Sequence, residues 1–405
     1  MTMVPIPFQY EFAQIAADNG VLTCQKTFNV TPAIEQSMEQ AMKETSDFTD
    51  RINTDSQSGD KIERIFADIS TGFTKRTDVA AGNERKATAG PITTSLIWEM
   101  IEWEHDGLAT WAKMEAWAHK RKEFMQLYRM NLARQVIKDR NYIAWRGQEC
   151  KAHAVTLEEM DTSLLMKLEA ENPGSVMNEG VAGHGMVVLG TLAGSTFKNA
   201  WANEIAYKIR DEVTTSEGRF VCISDHVSTP TSPLDPLKGE PTLADHTEYW
   251  ILKPHYPNLD RLIVDVAKNI PEYKKDNMRI FTGSGLISDE KGKLYAAQAD
   301  TPSEKLKIEQ ASKSFGGYVA DVLPFFQPKS IALTGGGGYK NISWYWQEKT
   351  HKRRIEEDHT LKGVADYNRY KGRFVWEDAE AATAVNNIEF LDLDYLESIG
   401  GNVNA

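Results

Sequence analysis

Apolar positions near the start of the chain fall at helical steps. Phe8, Phe12, Ile15 and Ala16 follow Pro7 and are closed off by Asn19-Gly20, which predicts a short amphipathic helix with one apolar face awaiting a partner. A second helix is predicted from Thr31-Pro32 to Phe48: Thr31 can cap it, Pro32 suits its first turn, and Ile34, Met38, Ala41, Met42 and Thr45 line one side. The pattern then changes. Lys61–Phe73 and Ile92–Glu104 are rich in Ile, Phe, Thr and Trp and flank a polar stretch, Thr74–Pro91, which describes two strands running out to a soft tip. Such a ribbon cannot bury both faces on its own subunit and must lie on something else. From about Leu108 to Arg146 the apolar residues Met114, Trp117, Phe124, Tyr128, Leu132 and Val136 return to three- and four-residue steps without Gly or Pro, predicting a helix of roughly 60 Å at 1.5 Å per residue.

Leu164–Ala170 continues the helical region until Pro173-Gly174, after which the chain turns mixed. Phe220–Ser224, Arg279–Thr282 and Lys329–Thr334 read as strands, Thr229–Glu240 as a loop, and Leu259–Ile270 as a helix with Leu262, Ile263, Val266 and Ile270 inward. Toward the end, His351–Asp378 sets Lys352, Arg353 and Arg354 directly before Glu356, Glu357 and Asp358 within a strand-rich tail. That block offers cations and carboxylates to a neighbouring copy; a solvated hairpin is the plain alternative.

Composition changes this picture little. With 41% hydrophobic residues over 405 positions the chain supports a true core, and a net charge of −12 argues against a dedicated nucleic-acid binder. The stretch Asp106–Lys151 runs against that balance, with ten Lys/Arg to five acids; these charges face nucleic acid, pair with acidic neighbours or are simply solvated. Cys24, Cys150 and Cys222 are isolated, with no C-x-x-C spacing, so neither a disulfide framework nor a zinc ribbon is implied. No 18-residue apolar run or signal peptide is present, and no membrane is expected.

Candidate catalytic chemistry is thin. Gly335–Gly338 before Tyr339-Lys340-Asn341 lacks Walker spacing and reads as a tight turn with positive φ. Gly283-Ser284-Gly285 lacks the third glycine of a dinucleotide fingerprint. Asp225-His226, Asp245-His246 and His255 are the best general-base or metal candidates, yet they have no third ligand at a recognisable spacing, so no metal and no cofactor are expected.

Several stretches resemble the major capsid proteins of P2-like tailed phages, in the same order along the chain. They are Met3–Val21; Lys26–Asn53, ending in Ser46-Asp47-Phe48 and Arg51-Ile52-Asn53; Gly72–Arg85, with its Thr-Asp-x-Ala-x-Gly-x-Glu-Arg pattern; Trp117-Ala118 through Arg146-Gly147; and His351–Asp378. Residues 179–250 match nothing in that pattern and read as an insertion or as strong divergence. The resemblance implies an α+β Hong Kong 97-type capsid fold, divided as follows: an N-terminal scaffold-like segment (1–30), an N-terminal arm (31–53), an extended loop (54–105), a peripheral domain with a spine helix (106–174), an axial domain (175–340), a peripheral return hairpin (341–378), and an axial strand with an acidic tail (379–405). It implies a structural, non-enzymatic protein that forms hexamers and pentamers of an icosahedral head around double-stranded DNA, assembled in the bacterial cytoplasm. The partners implied are other copies, a scaffolding protein, a portal and a decoration protein.

Under that resemblance Lys75, Arg76, Glu84, Arg85, Arg353, Arg354, Glu356 and Glu357 are expected between subunits. Phe8, Phe12 and Ile15 are expected against scaffold in the shell interior, with cleavage near Lys26–Val30. The competing readings are a cytosolic α/β hydrolase using His226 or His246, and a portal or tail component.

Overall fold

The computed structural model describes residues 6–67, 93–116, 121–229, 240–242, 249–289, 313–358, 360 and 362–398. The chain divides into two compact units, Met1–Lys138 with Ser343–Val375, and Asp139–Ile342 with Trp376–Ala405.

The first unit is built on a mixed sheet whose strands lie in the order Phe28–Asn29, Lys352–Asp358, Gly363–Trp376, Ile342–Gln347 and Asn53–Gln57, with Ile101–Thr110 also pairing with Gly363–Trp376. The long strand Gly363–Trp376 shows why the sheet has two distinct faces. Asp366, Asn368, Tyr370, Gly372 and Phe374 are buried, while Tyr367, Arg369, Lys371 and Arg373 alternate with them toward solvent. Trp103, Trp344 and Phe374 fill the buried face, with Trp103 edge-on to Trp344 at 5.4 Å and its Nε1 donating to the Gly372 carbonyl at 2.8 Å. Gly372 is required there, because a Cβ would come within 2.4 Å of the Trp344 ring.

Lys61–Ala67 and Thr93–Glu99 pair antiparallel from Lys61↔Glu99 to Ala67↔Thr93, as the flanking composition predicts. The base of this ribbon is clamped by Ile62, Trp98, Met100, Tyr345 and Val375. Its tip, which carries Lys75, Arg76, Glu84 and Arg85, lies outside the described residues.

Helices differ from expectation in two places. The helix expected from Leu108 begins later: Ile101–Thr110 is a strand, followed by helices Trp111–Ala116 and Arg121–Arg146. Ten consecutive partners on Gly363–Gly372 outweigh helical spacing in Leu108–Thr110; the helix Arg121–Arg146 spans about 39 Å, and residues 117–120 before it lie outside the described residues. The helix expected over Thr31–Phe48 runs from Pro32 to Lys43 and is followed by a short helix, Asp47–Arg51, that turns Phe48 into the core.

The second unit centres on a sheet ordered Ser314–Phe315, Tyr318–Val322, Arg279–Thr282, Ile331–Thr334, Ala382–Val385, Val176–Met177. The helix Leu259–Val266, capped by Asn258, packs Leu262, Ile263 and Val266 on it, and Ile270 follows after a short 3-10 turn. Much of the stretch expected to be an insertion forms a separate sheet, ordered Trp250–Leu252, Gly218–Cys222, Asp211–Thr215, Thr196–Ala200, while its strand Val187–Gly190 pairs with Ile388–Leu391. Gly336, Gly337 and Gly338 all have positive φ, as a tight turn demands, and a Cβ on Gly335 would lie 2.1 Å from the Lys274 carbonyl oxygen.

Candidate assembly surface

Strand parity divides the charged block between the two faces of the first unit's sheet. Arg353 and Ile355 lie with Asp366 and Asn368 on the buried face; Lys352, Arg354 and Glu356 lie with Tyr367 and Arg369 on the other. Arg353 makes a bidentate ion pair with Asp366, Nε to Oδ1 at 2.9 Å and Nη2 to Oδ2 at 2.6 Å. Asn368 Nδ2 donates to Asp366 at 3.0 Å, and the His351 ring meets Asn368 Oδ1 at 3.2 Å. Burial works against the Arg353 charge, yet the Asp366 hydrogen bonds and charge hold its pKa above the ordinary arginine value. Arg353, expected between subunits, has its guanidinium fork occupied within its own chain.

The N-terminal segment also packs at home. Phe28–Asn29 pairs with Lys352–Arg353, Val30 N–H donates to the His351 carbonyl at 2.9 Å, and Ile355 N–H donates to the Cys24 carbonyl at 2.8 Å. Ile15, Cys24, Phe28 and Val30 are buried in one cluster with Ala109, Ile355 and Val364, and Phe12 and Tyr128 pack against it. The stripe expected to await a partner thus has one for Phe12 and Ile15; Phe8 lies in the helix Ile6–Asp18, its side chain outside the described residues. Glu35, on the helix Pro32–Lys43, accepts the Lys349 and His351 N–H groups at 3.1 and 3.0 Å. Burial pushes its carboxyl above the usual range despite those two donors. A cavity of about 700 Å³ remains within this unit, lined in part by Phe12, Met38, Met42, Tyr128, His351 and Asp366.

The opposite face is exposed and ruled with charge. Arg354 stacks over the Tyr367 ring at 4.7 Å and pairs with Glu356 at 3.0 Å. Arg369 pairs with Glu102 and approaches Glu104 at 3.8 Å, and Lys371 meets Asp60 at 2.6 Å. Asp106 is pushed up by burial and by neighbouring Glu104. Exposed, mutually screened pairs of this kind contribute little to a single subunit, but as an array they can select a partner surface. Sequence reasoning picked out Arg354 and Glu356 and missed Asp366, Asn368 and Glu35. The alternation from Asp366 to Phe374 was the available signal for the first two.

Of the hydrolase candidates, Asp225 and His226 have structural roles. His226 is buried, its Nδ1 2.9 Å from the Ser224 carbonyl and its ring among those of Tyr207, Tyr249 and Trp250. The acid beside it, Asp225, accepts the Ile209 N–H at 2.7 Å. His246 lies outside the described residues, and among those described no group of His, Cys, Asp and Glu is arranged to hold a metal. Burial lowers the His255 pKa and raises that of Cys222 to about 12, so this thiol is no nucleophile at neutral pH. Among the described residues no helix is long and apolar enough to cross a membrane.

The family described as phage major capsid protein, P2 family, matches residues 8–224 and 245–388. The capsid protein of Escherichia phage P2 is 23% identical over 393 residues, covering 95% of this chain and 94% of that protein. The major capsid protein of Serratia phage KSP20 is 21% identical over 383 residues, covering 90% and 89%. A solved structure of the satellite phage P4 procapsid, including its size determination protein, superposes with a TM-score of 0.63 at 19% identity, over 96% of this chain and 100% of that one. The fold is thus of the Hong Kong 97 type, and with the family's match running across most of its length the chain belongs to the P2 family of phage major capsid proteins.

Proposed function

We propose that copies of this chain form hexamers and pentamers that close an icosahedral head around double-stranded DNA. The observation that carries this reading is the exposed charged face of the first unit's sheet, where rows of opposite charge stand ready for a second protein surface. The return hairpin 341–378 and residues 106–174 serve as peripheral domain, 175–340 and 379–405 as axial domain, and the arm 31–53 and loop 54–105 bridge subunits. Residues 179–250, expected to be an insertion, belong to the axial domain, and only 225–244 of them fall outside the family match. Lys75, Arg76, Glu84 and Arg85 at the ribbon tip, with Arg354, Glu356 and Glu357, make contacts between copies. The acidic balance of the chain suits a container that holds DNA by weak, non-specific contact. A scaffolding protein and a portal take part in assembly in the bacterial cytoplasm, a decoration protein binds the finished head, and residues 1–30 face the interior.

Size is the direct test. The purified protein, expressed with its scaffolding protein, is expected to elute as megadalton particles or capsomers; a monomer or small oligomer under all conditions contradicts the proposal.

A further inference from the structure

The strand Lys352–Asp358 reads Lys-Arg-Arg-Ile-Glu-Glu-Asp, three cations and three acids mirrored about Ile355. We infer that this strand is a two-fold docking edge for a second copy of the chain, pairing antiparallel with its own equivalent about Ile355 when the strap of residues 24–30 lifts away. The inference rests on the assembly reading above and specifies one contact within it.

Charge order selects both the partner and the register. Antiparallel pairing centred on Ile355 sets Arg354 opposite the second copy's Glu356 and Lys352 opposite its Asp358, while Arg353, its fork held by Asp366, takes no part in the charge pairing. A shift by two residues either way sets Arg354 against Arg354 or Glu356 against Glu356, and parallel in-register pairing opposes every charge to its like. The hairpin's own pairing does not account for this order. Lys352 stands across from Arg369, Arg354 from Tyr367 and Glu356 from Ala365, so the hairpin register sets no opposite charge directly across from these three. The pairing is isologous, as a two-fold contact between identical subunits must be.

Backbone parity agrees. One edge of the strand is taken by Gly363–Arg369, and Ile355 directs its N–H to the other edge, where the Cys24 carbonyl now accepts it. A residue with that parity, placed opposite its own equivalent, forms a hydrogen-bonded antiparallel pair. The strap holds this edge through a two-residue strand, flanking hydrogen bonds and the buried side chains of Cys24, Phe28 and Val30, in the unit that retains the cavity of about 700 Å³. It covers an edge that would otherwise be open to pairing, which is how folded proteins keep such edges from engaging early.

The test uses two full-length chains, Arg354→Glu and Glu356→Arg. Each alone opposes like charges across the two-fold axis; expressed together they restore opposite charges across it, while the 354–356 pair inside each chain remains like-charged. Each alone is expected to lower shell yield by about tenfold, equivalent to about 1.4 kcal/mol, and the mixture to recover it. Amide exchange at Val30 should be faster in shells than in free subunits. Full yield from either chain alone, no recovery in the mixture, or a Val30 amide equally protected in shells overturns the inference. If thermal melting shows that either variant fails to fold, Lys352→Asp and Asp358→Lys repeat the test on the outermost pair with the same outcomes. Absence of shells from the unmodified chain defeats the assembly reading itself, a result separate from these.

Discussion

At the scale of single residues, Arg353 and Arg354 are neighbours in sequence with opposite physical roles. Arg353 is mostly buried and bidentate to Asp366, so reversing it to Glu sets two carboxylates together inside the first unit. Breaking a buried pair in this way costs about 3–5 kcal/mol, and Arg353→Glu is expected to lower the urea midpoint of the isolated subunit accordingly. Arg354→Glu, on the exposed face, is expected to change the unfolding free energy by less than about 1 kcal/mol. Equal effects in the two variants would contradict this division. Treating the basic block as one surface feature misses the distinction, because strand parity is visible only once the hairpin register is assigned.

Glu35 gives a pH dependence at the same scale. Burial raises its folded-state pKa above the ordinary value of 4.5. Its stabilising contribution is therefore fully present below the unfolded pKa and is lost as pH rises through the folded pKa, a window that opens at 4.5 and extends upward. Lowering the pH from neutral toward that window should tighten docking of the helix Pro32–Lys43, read as slower amide exchange at the Lys349 and His351 N–H groups it holds. Glu35→Gln should remove the dependence; an identical pH profile in that variant would assign it to another group.

At the scale of elements, most of what the sequence predicts is present. Phe8 to Ala16 lies in a helix, the Lys61 and Thr93 strands pair, and Leu259 to Ile270 buries the expected residues. What was not legible depends on contacts distant in the chain. Leu108–Thr110 joins a strand because its partners lie more than 250 positions away, and the strap at Phe28 pairs with Arg353 across a similar gap. A one-dimensional period carries no information about either. The ribbon Lys61–Ala67/Thr93–Glu99 yields a prediction at this scale. Its base is anchored by Ile62 and Trp98 in the core, so replacing residues 74–90 by a short turn should leave a folded, soluble subunit that forms no stable shells. Normal particles from that deletion would show that the tip is not needed between copies.

At the scale of the whole molecule, several of the described catalytic-looking residues serve structure, while a charge array lies on the exposed face of the first unit's sheet. His226 sits in a ring cluster, Asp225 caps a backbone amide, and the four glycines from Gly335 make a turn; these motifs are absorbed by packing. Family membership and fold agree with that distribution, since a shell subunit acts through its surfaces. Electron micrographs of particles from the full-length chain expressed with its scaffolding protein test this account most directly. Closed, round, uniform shells are the predicted result, and open rings, tubes or particles no larger than a small oligomer would contradict it.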